Sequence, residues 1–265
     1  MAAVRVLVLR APGANCDAEA MYAFERAGAA AERVHINRIR EQPGLLRQYQ
    51  ILVVPGGFSY GDDVAAGKIL ANQLRSFLGD ELQRFRDAGK LVLGICNGFQ
   101  VLLKAGLLVP PTPLLPEGNG GGVPATLSNN SSGKFEDRWI RLKATPGRCP
   151  FVHGYDALEA PIAHGEGRFV CRDDSTLQQL VAAGQIVLRY VDADGASGPY
   201  PINPNGSQAD IAGLCDASGQ VLGLMPHPER HVAGTQHPNW TRNGIKSEGD
   251  GLRLFRNAVN YFQRW

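Results

Sequence analysis

Three short runs in the first hundred residues, Val4 to Leu9, Ile51 to Val54 and Leu91 to Ile95, are predominantly apolar, and Gly and Pro bound such runs in this half of the chain. A strand with almost no polar face has to be covered on both sides, which only a sheet with helices above and below it provides. The intervening segments supply those helices: Asp17 to Ala27, Ala65 to Ala88 and Phe99 to Ala105 have helical spacing and stop at Gly28, Gly89 and Gly106. A more polar strand is expected at Ala30 to Ile36. The order βαβαβαβα predicts an open parallel sheet with helices on both faces, and such sheets bind ligands beyond the carboxyl ends of their strands.

The second half changes character. Arg138 to Ala144, Ala160 to His164, Ile186 to Val191, Asp210 to Cys215 and Val221 to Met225 are short and separated by Gly, Asn and Asp, so antiparallel strands are expected there. A closing amphipathic helix is expected from Asp250 to Phe262, with Leu252, Phe255, Val259 and Phe262 on its buried face. The stretch Pro110 to Pro124 could mark a boundary, but the pieces with chemical potential lie on both sides of it. One domain over 1–265 is therefore expected, with loop insertions near 109–122 and 232–247.

Charge narrows the partners. With 27 Lys plus Arg against 25 Asp plus Glu, the chain lacks the basic excess that a phosphate backbone demands, so nucleic acid is not expected. No run reaches the ~18 apolar residues of a membrane helix, and the N-terminus is read as a first strand rather than a signal. The five cysteines, Cys16, Cys96, Cys149, Cys171 and Cys215, are widely spaced without a C-x-x-C pair. That argues against a disulfide framework or a thiolate zinc site and for a reducing, cytoplasmic location. The glycosylation sequons at Asn129, Asn130, Asn205 and Asn239 are set aside for the same reason.

Three segments carry chemistry. In Leu91-Val-Leu-Gly-Ile-Cys96-Asn-Gly-Phe-Gln100 an apolar strand runs through Gly-x-Cys-x-Gly into a helix, the pattern of a nucleophile elbow with Cys in the central place. Gly94 and Gly98 suit the close packing of that turn, and a thiol at a helix N-terminus is favoured as thiolate. In Gly223-Leu-Met-Pro226-His227-Pro228-Glu229-Arg230 the prolines favour extended backbone, which would put His227 and Glu229 on one side. A carboxylate there can hold the imidazole while its other nitrogen serves a nucleophile. In Ile51 to Asp62 a strand enters a glycine loop, where the Gly57 N–H, beside that of Asn97, could form an oxyanion hole. Gly61 to Lys68 has the wrong spacing for a phosphate loop, and Ile69 stands where Ser or Thr would bind magnesium.

PGGFSYGD at 55–62, GICNGFQ at 94–100, SGKFEDRW at 132–139, AHGEGR at 163–168, RYVDADG at 189–195, YPINPNGS at 200–207 and MPHPER at 225–230 together resemble one family. It is the glutaminase subunits of phosphoribosylformylglycinamidine synthase, within the class I glutamine amidotransferases. The resemblance implies a flavodoxin-like, mostly parallel sheet extended by antiparallel strands. It implies that Cys96 attacks glutamine, that His227 carries the proton and that Glu229 orients His227, with Gln100 and the 163–168 segment lining the glutamine pocket. His164 and Glu166 could equally be a satisfied turn. No cofactor or metal is expected in this chain. The implied partners are an ATP-using synthetase subunit, which would hold ATP and magnesium, and a small accessory subunit. The competing reading is a free-standing cysteine amidohydrolase of similar fold.

Overall fold

A computed structural model describes residues 3–110 and 123–263, so most of the expected insertion near 109–122 lies outside the described residues. The first half follows the alternation: β1 (Arg5–Arg10), α1 (Asp17–Arg26), β2 (Ala30–His35), α2 (Ile36–Glu41), β3 (Ile51–Val54), α3 (Lys68–Asp87), β4 (Leu91–Ile95) and α4 (Asn97–Lys104). The second half contributes β5 (Ala125–Ser128), β6 (Glu136–Ala144), β7 (Ala157–His164), β8 (Arg168–Cys171), α5 (Asp174–Ala182), β9 (Ile186–Val191), β10 (Ile211–Cys215), β11 (Val221–Leu224), α6 (Trp240–Asn243) and α7 (Leu252–Tyr261).

Nine strands form one sheet in the order β2-β1-β3-β4-β11-β10-β9-β6-β7, and β5 and β8 form a separate antiparallel pair. From β2 through β11 neighbouring strands run parallel, and from β11 to β7 every pair is antiparallel. The chain steps from β1 outward to β2 and then back across β1 to β3. With right-handed crossovers, that reversal sends α1 and α3 to opposite faces and opens a crevice at the carboxyl ends of β1 and β3. β3 and β4 are buried at every residue, as strands covered on both faces must be. On one side Phe24 of α1 meets Phe255 of α7 edge to face, ring centroids 5.0 Å apart. The buried residues of α7, Leu252, Leu254, Phe255, Ala258 and Val259, make the closing helix amphipathic as expected, although Phe262 falls just past its end.

Several sequence expectations need correction. Val221 to Met225 was expected to be antiparallel; β11 is antiparallel only to β10 and runs parallel to β4, pairing Gly223 with Gly94 and Leu224 with Ile95. The long helix begins at Lys68 rather than Ala65 because Gly67 sits at φ 70°, a left-handed conformation that cannot continue a helix. α4 begins at Asn97, two residues before the expected start. β5, β8, α2 and α5 were not anticipated. The segment near 232–247 contains a short 3₁₀ turn, Gly234–Gln236, and α6. Asn130 and Asn205, two of the sequon asparagines, are buried.

Candidate active site

The pairing of β4 with β11 builds the site. Ile95 and Leu224 lie side by side at the ends of parallel strands, and the Cys96 N–H donates to the Leu224 carbonyl at 2.8 Å. The chains leaving these strands therefore deliver Cys96 and His227 to the same place. Cys96 occupies φ 51°, ψ −108°, strained backbone for a residue with a Cβ, as the elbow pattern requires. Gly98 makes that turn possible, since a Cβ there would stand 1.9 Å from the Val54 carbonyl oxygen.

His227 and Glu229 are neighbours as expected, for a different local reason. Pro228 opens a 3₁₀ turn over Pro228–Arg230, so the two side chains meet across a tight turn rather than along extended chain. The His227 Nδ1 to Glu229 Oε1 separation is 2.6 Å, with both residues buried. Burial disfavours the imidazolium, but the Glu229 carboxylate and the Cys96 sulfur more than offset it and raise the His227 pKa to about 10. The His227 backbone is tied to the antiparallel arm, because its N–H donates to the Pro161 carbonyl at 2.8 Å. The Cys96 thiol donates to the Ala163 carbonyl at 3.7 Å. Although β7 is last in the sheet order, its end folds back over the parallel half.

A cleft of about 210 Å³ opens onto Cys96, walled by Gly57, Phe58, Gln100, Phe135 and the turn from Ala163 to Glu166. Gly57 thus lines the same cleft as the thiol. Asn97 N–H lies in the first turn of α4 beside it, and among the described residues neither N–H is spent on a loop carbonyl. The side chains of Asn97 and Gln100 brace the walls. Asn97 Oδ1 accepts from the Ser59 N–H at 3.2 Å, and its amide donates to Asp62 and to Gln100 Oε1 at 3.0 and 2.9 Å. Gln100 Nε2 then donates to the Glu166 carbonyl at 2.7 Å, fixing the wall opposite.

Sequence reasoning passed over three contributors. Gly56 sits where the reactive groups converge: a Cβ there would stand 2.9 Å from His227 Cε1, 3.2 Å from Cys16 Sγ and 3.4 Å from Cys96 Cβ. Asn130 holds the 164–167 turn, its Oδ1 facing His164 Nδ1 at 3.1 Å and accepting from the Gly167 N–H at 3.0 Å. Asn205 supports the turn from behind, donating to the Gly167 carbonyl at 2.9 Å and the Tyr190 hydroxyl at 3.1 Å. For Asn205 the repeated Asn and Pro of YPINPNGS were a usable signal; for Gly56 and Asn130 the partners are remote in sequence. His164, left open above, lines the cleft and is buried, which pushes its pKa down to about 4. It belongs to the site wall as a neutral imidazole. Cys16, at the N-terminus of α1, does not line the cleft, and burial pushes its thiol up to about 12.

Residues 3–262 match the CobB/CobQ-like glutamine amidotransferase domain family. A protein of Dehalococcoides mccartyi named phosphoribosylformylglycinamidine synthase subunit PurQ is 47% identical over 263 residues, covering 98% of each chain. A protein of the same name from Methanococcus maripaludis is 42% identical over 272 residues, again covering 98% of both. Among solved structures, a chain of PurLQS from Thermotoga maritima superposes with a TM-score of 0.74 at 33% identity, over 98% of this chain and all of that one.

Proposed function

The chain belongs to the CobB/CobQ-like glutamine amidotransferase family and, within it, to the PurQ subunits of phosphoribosylformylglycinamidine synthase, and from this membership we propose how its site works. It is the glutaminase subunit of the synthase, acting in purine biosynthesis. Cys96 is the nucleophile, His227 the proton carrier and Glu229 the group that orients His227. With the Cys96 proton held on His227 as the imidazolium, the Cys96 thiolate attacks the carboxamide carbon of glutamine. The developing oxyanion is met by the N–H groups of Gly57 and Asn97. As the C–N bond breaks, His227 gives its proton to the departing nitrogen, releasing ammonia and leaving a γ-glutamyl thioester. Water, deprotonated by His227, then cleaves the thioester to glutamate and restores the Cys96 thiolate beside the His227 imidazolium.

The ammonia serves the synthetase subunit, which uses ATP to convert formylglycinamide ribonucleotide to formylglycinamidine ribonucleotide. We assign ATP and magnesium to that subunit, and we place the complex, with a small accessory subunit, in the cytoplasm. The five free, buried cysteines suit a reducing compartment, and no helix among the described residues is long and apolar enough to cross a membrane. Likeness to PurQ relatives over nearly full length supports this reading over a free-standing amidohydrolase.

The observation that carries the mechanism is the strained Cys96 elbow placed beside the 2.6 Å His227–Glu229 pair by the β4–β11 ladder. An electrophilic glutamine analogue should label the protein once, on Cys96, and glutamine should protect against labelling. Labelling of another cysteine with Cys96 unmodified would overturn the assignment.

A further inference from the structure

We propose that Cys16, His227 and Glu229 form a binding site for a thiophilic divalent metal such as Zn²⁺, and that occupation of it reversibly inhibits glutamine hydrolysis. The three side chains are buried, and one ligand atom of each lies within 4.8 Å of the others. At zinc bond lengths of ~2.0–2.3 Å two ligands of one tetrahedral ion stand roughly 3.4–3.8 Å apart, so the widest pair of the trio needs to close by no more than about 1 Å, while the 2.6 Å His227–Glu229 contact opens. Two buried polar atoms, His227 Nε2 and Glu229 Oε2, have no hydrogen-bond partner among the described residues. The space between the thiol and the imidazole is bounded by Gly56, whose absent Cβ would approach both.

The donor set selects the metal. Thiolate with imidazole and one carboxylate suits Zn²⁺ or Co²⁺ and disfavours Mg²⁺ and Ca²⁺, which take oxygen ligands. Arg230 is the competitor, since its Nη2 donates to Cys16 Sγ at 3.2 Å while its Nε holds Glu19 at 3.1 Å. Its side chain is about one-third exposed, so it can swing toward Glu19 and solvent when a metal arrives. On binding, the Cys16 S–H bond and one N–H bond of the His227 imidazolium break, both protons leave to solvent, and S–metal and N–metal bonds form. A metal on His227 removes the proton carrier from the reaction, while Cys16 itself lies outside the cleft that exposes Cys96.

The inhibition rests on the glutaminase reading above; the binding does not, and the test separates them. Co²⁺ added to the apo chain should produce the near-ultraviolet thiolate-to-metal absorption. The band should persist in Cys96→Ala and disappear in Cys16→Ala, with Cys16→Ser as a second variant that conserves size. In the reconstituted synthase, Zn²⁺ should inhibit glutamine hydrolysis and a chelator should restore it. Both Cys16 variants should keep hydrolysis within about twofold of the parent and require at least ~10-fold more Zn²⁺ for half-inhibition, as loss of a metal-site group does. Absence of a band in the parent, a band that survives in the Cys16 variants, or equal zinc sensitivity in parent and Cys16 variants would each overturn the site.

Discussion

The parallel half of the sheet and the antiparallel arm each bring a buried histidine to the site, and they hold it in opposite charge states. His227, on the loop after β11, faces a carboxylate at 2.6 Å and sits high, at about 10. His164, at the end of β7, has only the Asn130 amide on its Nδ1 and sits low, at about 4. Burial penalises both imidazolium forms, so the difference lies in the partner: a charge for one, a dipole for the other. The parallel half thus supplies a proton carrier and the arm supplies a neutral wall that leaves the nearby charge uncontested.

The largest effects should come from the parallel half. Cys96→Ala and His227→Ala should each lower glutamine hydrolysis by roughly 10⁴-fold or more, and Glu229→Gln should cost less, at most about 10⁴-fold, as removal of an orienting carboxylate does. Steady-state glutaminase assays rank the three; a Glu229→Gln loss equal to that of His227→Ala would mean that Glu229 does more than orient the ring. Cys96→Ala should melt within a few degrees of the parent, because the thiol borders a cleft.

Gly56→Ala sharpens the comparison by crowding His227 more closely than any other group. A methyl group 2.9 Å from Cε1 forces the ring away from Cys96, so hydrolysis should fall by about 10²-fold, the usual cost of an ångström-scale misplacement, while the fold survives. Circular dichroism and kinetics on the same sample check both halves of that statement. Unchanged kinetics would show that the ring has room the structure does not give it.

The smallest effects are in the pH dependence of stability, and the two histidines should act in opposite directions. His227 binds its proton more tightly folded than unfolded, so its contribution is complete below pH 6.5 and is lost as pH rises from there through about 10. His164 binds its proton less tightly folded, so its contribution is present above 6.5 and is lost as pH falls through about 4. Denaturant titrations across pH should therefore lose part of the acid-side slope in His164→Asn and part of the alkaline-side slope in His227→Asn. The same limb flattening in both variants would contradict the opposed charge states.

The two halves also differ in how far the chain announces them. The β3 and β4 strands and the elbow at Cys96 were legible because their cause is local: an apolar run, two glycines and a helix start within about ten residues. The parallel placement of β11 was not, because direction is decided by the partner, and β11 slots between β4 and β10. α5 carried a readable cap, Asp173 accepting from the Thr176 N–H at 2.8 Å, which the short polar run around it obscured. The His227–Glu229 contact was foreseen, although a 3₁₀ turn rather than extended chain produces it. The roof over the cleft was legible only in part: the resemblance placed the 163–168 segment there, but Asn130 and Asn205, which hold it, come from separated segments that only the folded arm brings together.

The central claim is a division of labour, in which this chain makes ammonia and another subunit spends it. The direct measurement is amidine formation by a reconstituted synthase containing Cys96→Ala, with ATP and either glutamine or high external ammonia as nitrogen donor. The account predicts that glutamine-dependent synthesis vanishes while ammonia-dependent synthesis continues at the parent complex's rate. Persistence of the first, or loss of the second in a properly assembled complex, would contradict it.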